Sequence, residues 1–349
     1  MRLPRTGFAL PLGVVLAFTS AGAQTESSRI AGSRSAEAID QIYAHAKPYM
    51  DAPLPELKHA VPALDGLRAD ASQSSLESVL SRTGEVMGAL LPKMPSLAAR
   101  ESVSQVQFTV PPVPKDGNED GVTFLGRSRY TAQYTMDERQ LEEKLHTTLL
   151  AGAPWKDFDY LMVSRQSPEG TPMLEESRTD IKALNGGRSK GEPTILHGIG
   201  FGYLWLLLLP ENIPQSRYRF LGQQKMNGHD AYVVAFAQLP GRVKVPAEIT
   251  LGANAYPLLY QGIAWIDEVT FRIVRLETDL LAPLPSISLQ RMRSDLLFSE
   301  VRIPDLTQPL WLPKQVELTW RQEDQLLGEM HLYTKYRLFN VTVKMLPHG

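Results

Sequence analysis

The 349-residue chain has no cysteine. That excludes a disulfide framework, any metal site built on thiolates and a cysteine-linked lipid anchor, so stability has to come from burial of a core. It also has no surplus of positive charge: 36 Lys and Arg stand against 38 Asp and Glu, a formal net charge of −2. Such a balance gives no global attraction to nucleic acid or to an anionic membrane. Long apolar runs are missing too. The two most hydrophobic stretches, Phe8 to Phe18 and Ile195 to Leu209, fall short of the roughly 20 residues a membrane-crossing helix needs. No repeat of solenoid length is present.

Catalytic signatures are equally scarce. Gly187–Arg–Ser–Lys–Gly191 matches the G-x-S-x-G pattern, but Asn185–Gly186 precedes it and Pro193 follows. A nucleophile elbow needs a strand before the serine and a helix after it, so this is a flexible loop and Ser189 is not a nucleophile. The seven histidines form no H-x-x-x-H or H-E-x-x-H pair. His229 sits beside a turn and reads as solvated. His331 alternates with Met330 and Leu332 and so points away from their face. His197, inside the apolar run, reads as a hydrogen-bonded core residue rather than a ligand. Glu175 and Glu176 are neighbours on a strand and face opposite ways, while Asp267–Glu268 and Glu323–Asp324 read as solvated turn carboxylates. No P-loop, dinucleotide fingerprint or S-x-x-K motif occurs. No enzyme, cofactor or metal is expected.

What is present begins with an export leader at 1–23. Arg2 and Arg5 form a charged start, Phe8 to Phe18 an apolar middle, and Ala21–Gly22–Ala23 a small-residue cleavage site. Cleavage removes two of the 36 basic residues, leaving 34 against 38 acidic and moving the formal charge from −2 to −4. A periplasmic location follows as the expectation. Residues 24–110 read as a helical N-terminal region: helical spacing from Ser35 to Tyr49, then a capping-box pattern at Ser74–Ser–Leu–Glu77. The latter opens a helix whose stripe is Leu76, Val79, Leu80, Met87, Leu90 and Leu91, ending at Pro92. Ser102 to Val110 is a candidate strand. Residues 111–156 read as a linker and helix, a Pro/Gly/Asp-rich loop to Gly121 and then Asp137 to Leu150 with Leu141, Leu145 and Leu149 in i,i+4 register.

From residue 157 to 343 strands dominate. Asp157–Arg165 and Met173–Asp180 pair around a turn. Tyr218–Phe220 and Tyr232–Phe236 flank Asn227–Gly228, which supplies the positive φ angles of a two-residue hairpin. Further runs follow at Gly262–Ile266, Phe271–Glu277, Met292–Val301, Trp311–Trp320 and Leu326–Phe339. Hairpins in series make a meander or open barrel. Ile195–Leu209, with Phe201, Tyr203, Trp205 and four consecutive leucines, reads as a buried helix on the concave side of the sheet or as an apolar lid.

Five of these runs resemble the lipoprotein-carrier (LolA-like) superfamily, whose types are the periplasmic lipoprotein-sorting carriers and related sigma-factor regulatory sensors. They are Asn227 to Val233, Gly262 to Asp267, Phe271 to Glu277, Leu310 to Pro313 and Tyr333 to Phe339. The chain is also similar to large exported proteins of soil bacteria. The resemblance implies an α+β fold: a curved, partly open antiparallel β-barrel wrapped around helices, here with a helical N-terminal extension, enclosing an apolar cavity for lipid chains. It transfers no site residue. By apolar character and position, the candidate ligand-binding residues are Phe201, Tyr203, Trp205, Trp265, Trp320 and Tyr336. The expected partner is a hydrophobic ligand or lipid, or an acylated protein. An envelope protein-interaction or stress-sensing module with a filled core is the alternative, and a hydrolase with a site assembled from distant residues is a third reading.

Overall fold

The computed structural model describes residues 39–110, 122–124, 134–136, 138–151, 154–166, 172–181, 207–244, 246–251, 254–304 and 306–339. The leader, the 187–191 loop, His197, Phe201, Tyr203 and Trp205 lie outside these residues. Of the apolar run only Leu207, Leu208 and Leu209 are described; they are buried and lead into a turn.

In chain order the strands are β1 (Arg68–Ala69), β2 (Leu97–Thr109), β3 (Val122–Phe124), β4 (Tyr134–Met136), β5 (Trp155–Gln166), β6 (Pro172–Asp180), β7 (Ser216–Met226), β8 (His229–Gln238), β9 (Ala247–Leu251), β10 (Asn254–Leu258), β11 (Tyr260–Asp267), β12 (Ile273–Leu280), β13 (Leu289–Val301), β14 (Leu310–Gln322) and β15 (Gln325–Leu338). Residues 39–43 are helical, and the further α-helices are α1 (Leu54–Ala60), α2 (Leu76–Leu90) and α3 (Glu138–Ala151). Eleven strands form one sheet in the order β1-β7-β8-β11-β12-β13-β14-β15-β2-β5-β6, with β9–β10 and β3–β4 as separate hairpins. Every pairing is antiparallel and β1 does not meet β6, so the curved sheet stays open. The fold is α+β. Strands β1 and β2 bring the segment before residue 110 into the same sheet as the C-terminal meander.

Local chemistry explains the elements. Asn227 (φ 52°) and Gly228 (φ 87°) both take the left-handed conformation that a two-residue turn matched to strand twist requires. Helix α2 buries Val79, Leu80 and Met87 from the expected stripe, with Thr83 and Gly84 between them. Its N-terminus departs from the capping-box expectation: Ser75 is the N-cap, and no side-chain cap bond is made. Gly84 and Gly88 form a shallow groove in which an added Cβ would lie 3.4 and 3.5 Å from the Pro210 ring. The helix thus packs on the chain that follows the leucine run.

Antiparallel register sorts the side chains into two faces. One row runs Ile263, Glu277, Asp295, Glu317, Met330, Ser104 and includes Trp265 opposite Arg275. The other runs Ala264, Leu276, Leu296, Val316, His331, Val103 and includes Trp320 opposite Met292. We name them the Trp265 face and the Trp320 face.

The Trp265 face is covered from two sides. Residues 49–65 lie over β7, β8, β11 and β12, and their helical turns expose C-terminal carbonyls that the sheet satisfies. Arg219 donates to the Met50 and Ala52 carbonyls, Arg293 to Ala60, and Gln224 to Ala63 and Asp65, at 2.7 to 2.9 Å. Cationic donors at helix C-termini also complement the helix dipole. Leu57, Val61 and Leu64 are fully buried, each contributing about 1.5–3 kcal/mol by removal from water. Helix α3 covers the other side. Leu141, Leu145 and Leu149 form a small separate core with Val110, Leu326 and Met330. Gly328 makes that approach possible, since a Cβ there would sit 2.7 Å from Leu145.

Candidate functional site

The described candidates divide between the two faces. Trp265, with no exposed surface, stands on the face covered by residues 49–65. Its indole N–H donates to Gln224 Oε1 at 3.0 Å, and the Arg275 guanidinium lies 4.9 Å from its ring centroid. Trp320 is buried on the opposite face. Half-buried Tyr336 donates to the Pro313 carbonyl at 2.7 Å and lies near Glu101 and Glu176 of the Trp320 face. No single cavity on one side of the sheet is lined by both tryptophans.

Around Trp265 the sheet carries a strip of charge. Arg275 grips Asp295 through two parallel bonds of 2.8 and 2.7 Å, the strong bidentate geometry of guanidinium and carboxylate. Glu142 of α3 reaches Arg291 and Arg293, and His146 meets Glu317 at 2.6 Å. Glu277 sits at the centre, buried. Burial raises its carboxyl to about 7 against the pull of Arg293 and Arg275. Arg293 thereby bonds to both covers, α3 through Glu142 and α1 through the Ala60 carbonyl. The strip fastens the covering elements to the sheet.

The Trp320 face ends in a second cluster that sequence reasoning missed. Glu101 of β2, Glu329 and His331 of β15 have no exposed surface, and the Arg178 side chain of β6 is 4% exposed. Glu101 Oε1 accepts from Arg178 Nη2 at 2.5 Å, from Tyr333 at 2.9 Å and from His331 Nδ1 at 2.9 Å, while Oε2 accepts from Arg178 Nε. The other ring nitrogen of His331 meets Glu329 at 3.3 Å, and Gln105 donates to Glu329 at 2.9 Å. Tyr160 donates to Glu176 and stacks edge-on against Tyr333. Four strands, β2, β5, β6 and β15, therefore deliver one contiguous group of three carboxylates, a guanidinium, an imidazole and two phenols, with the Tyr160–Glu176 pair joined to the rest by the Tyr160–Tyr333 ring contact.

Electrostatics hold this group in its charged form. Burial alone would raise the Glu101 carboxyl, but hydrogen bonds from His331 and Arg178 hold it at about 2. Burial alone would lower the His331 imidazole, but the bonds to Glu101 and Glu329 raise it. Both His331 nitrogens face a carboxylate, which favours the charged imidazolium. Burial drives Tyr160 and Tyr333 well above the usual phenol range, leaving them as donors.

A pH profile follows from these shifts. A carboxyl lowered from 4.5 to about 2 contributes stability that is complete above 4.5 and disappears as pH falls toward 2. An imidazole raised above 6.5 contributes stability that is complete below 6.5 and disappears as pH rises through its folded value. The cluster should therefore contribute most between pH 4.5 and 6.5. Thermal melts of the wild type and of His331→Gln should converge above that window; a gap that stays constant to pH 9 would refute the charge assignment.

Two other carboxylate expectations are settled by position. Asp267 is not a solvated turn residue: it is buried, its Oδ1 accepts from Val269 N–H, Thr270 N–H and Thr270 Oγ1, and its Oδ2 meets His229 at 2.8 Å. It closes the β11–β12 turn from within, which outweighs the usual preference of a turn carboxylate for water. His229 is correspondingly only part-exposed, edge-on to Trp311. Glu175 and Glu176 do face opposite ways, the former exposed and the latter bonded to Tyr160.

No family model and no curated protein matches the sequence. Among solved structures, the chain is similar to a domain from Vibrio parahaemolyticus described as an outer membrane lipoprotein-sorting protein, at 14% identity and a TM-score of 0.29. It is also similar to a DUF1329 family protein from Desulfovibrio piger, at 8% identity and a TM-score of 0.31. Each match covers 75% of this chain and 92% of the other. The likeness is one of fold alone. Neither match bears on the similarity to exported soil-bacterial proteins. Among the described residues no helix is long and apolar enough to cross a membrane.

Proposed function

We propose that this is an exported, periplasmic, non-catalytic protein that binds an amphipathic ligand, a lipid or an acylated protein, against the Trp320 face. The observation that carries this reading is the make-up of that face. A continuous apolar tract, Leu276, Leu296, Val316, Leu318 and Trp320, runs into the buried cluster of Glu101, Arg178, Glu329 and His331. An open sheet with an apolar tract and a charged end presents the same division as a ligand with acyl chains and a polar head. Acyl chains would gain about 25 cal/mol for each Å² of apolar surface withdrawn from water. His331, facing a carboxylate at each ring nitrogen, supports a holding role over a proton-transferring one. Phe201, Tyr203 and Trp205 remain proposed contributors from the apolar run.

One observation favours the protein-contact alternative. Leu276, Leu296 and Val316 have no exposed surface, and Trp320 is 2% exposed, as expected of a core that is already filled. Mass spectrometry of the protein purified from its native envelope, under native conditions and again after solvent extraction, separates the two. A stoichiometric acyl-bearing species that is lost in Trp320→Asp, with the far-ultraviolet spectrum preserved, is the result expected of a carrier. A clean apo mass from the native envelope would sink the carrier reading and leave the filled-core module in its place.

A further inference from the structure

Polar side chains break the apolar surface of the Trp320 face beside the tract described above. In register across the sheet stand Phe236 of β8, Gly262 of β11, Thr278 of β12, Ser294 of β13, Leu318 of β14 and Glu329 of β15. Directly opposite residues of an antiparallel pair share a face and stand about 4.5–5.5 Å apart at Cβ, so Thr278 and Ser294 set two hydroxyls side by side. Leu276 and Leu296 flank them along the strands on one side, Leu280 and Met292 on the other, and all four are buried. Toward β11 the Phe236 ring takes the place of a side chain on Gly262, since a Cβ there would lie 2.6 Å from two ring carbons. Thr278 has no exposed surface, and its Oγ1 has no hydrogen-bond partner among the described residues. Such a hydroxyl has given up its bonds to water and received none in return.

We propose that Thr278, with Ser294 beside it, is a specificity site for the carbonyl of an acyl ester. The inference rests on the carrier reading above and adds which acyl ligand the face takes. Three observations choose the group. Two adjacent hydroxyls can both donate to one oxygen, and a carbonyl oxygen has the two lone pairs to accept them. Leucine and methionine on either side require that this acceptor arrive on hydrocarbon. Charge is the third. Arg178 and His331, the cations of the cluster at the end of this face, are already bonded to Glu101 and Glu329. A carboxylate or phosphate beside Thr278 would therefore be buried without compensation, whereas an uncharged ester would not.

The test is a competition read by native mass spectrometry, with the delipidated mature chain offered dioleoylglycerol, its dioleyl ether analogue and oleic acid in equal amounts. The ether keeps the chains and loses the carbonyl. The wild type should hold the ester over the ether by about five- to tenfold, the ratio that one hydrogen bond to a buried group gives. Thr278→Val keeps the shape and removes the hydroxyl, so it should bring that ratio near one while melting no lower than the wild type. Thr83→Val is the control. Thr83 of α2 also has no exposed surface and an unpartnered hydroxyl, but it stands outside this row, so its variant should keep the ester preference. Equal binding of ester and ether by the wild type would overturn the site and leave the carrier reading standing. A preference that survives in Thr278→Val, or is lost in Thr83→Val, would place the reading of the carbonyl elsewhere and overturn the proposal. Oleate held above the ester would overturn the uncharged group, and a lower melting temperature in Thr278→Val would show that the hydroxyl has a structural partner. Binding of none of the three would sink the carrier reading and this proposal with it.

Discussion

Glu101→Leu should destabilise the protein by about 3–5 kcal/mol, the cost of leaving a buried cation without its counter-charge. The substitution removes the acceptor of two Arg178 bonds, of Tyr333 and of His331 in one step. Arg178 is almost wholly buried and cannot recover these bonds from water. For a domain of this size, about 2–4 °C of melting temperature is lost per kcal/mol, so a fall on the order of 10 °C is expected. The pairing itself can be separated from the damage. Glu101→Leu combined with Arg178→Met removes both charges and replaces them with apolar volume, which is often neutral for buried pairs. The double variant should regain part of the lost stability, because Tyr333 and His331 still lack their acceptor, with a coupling of at least about 1 kcal/mol by the usual cycle. Equal losses in the single and double variants would show that the cluster is held by shape and not by charge.

That cluster also shows where the sequence is legible and where it is not. The β7–β8 hairpin could be read because its cause is local: two residues with positive φ between two apolar runs. The outward turn of His331 from Met330 could be read for the same reason, since alternation is a property of one strand. The partners of His331 could not. Glu101 lies 230 residues away, and it becomes a neighbour because β15, the last strand of the meander, pairs with β2 from the N-terminal region. A signal was available nonetheless. Glu329, His331 and Tyr333 recur with period two on β15, and Glu101 and Gln105 flank Val103 on the same face of β2, polar residues on the face that Val316 and Leu318 mark as core.

The two tryptophans fail in the opposite direction. Trp265 and Trp320 share one local signature, an aromatic residue alternating with smaller or polar neighbours. Which face each meets depends on register summed across β12 and β13. One shift of a single residue inverts every side chain beyond it. Faces therefore cannot be matched between distant strands without the pairing itself. The helix over Leu76–Leu90 was visible by its stripe. The attachment of residues 49–65 was not, because the sheet meets them largely through backbone carbonyls, which carry no sequence mark.

Gly262→Ala should be among the most damaging single-methyl changes in the sheet. Gly262 lies in β11, between Phe236 of β8 and Thr278 of β12, near the middle of the open sheet. A Cβ at this position would stand 2.2 Å from the Glu277 carbonyl oxygen and 2.6 Å from two carbons of the Phe236 ring. Overpacking a core usually costs about 1–3 kcal/mol, when side chains can yield. Here one obstacle is backbone, fixed between β11 and β13, so a loss of about 3 kcal/mol or more is expected, read as a lower urea midpoint at unchanged slope. The other obstacle can be removed to apportion the loss. Gly262→Ala with Phe236→Leu should recover only part of the stability if the carbonyl is the main barrier. Full recovery would assign the clash to the aromatic ring, and a single variant as stable as the wild type would mean that β11 and β12 can part by enough to admit a methyl group.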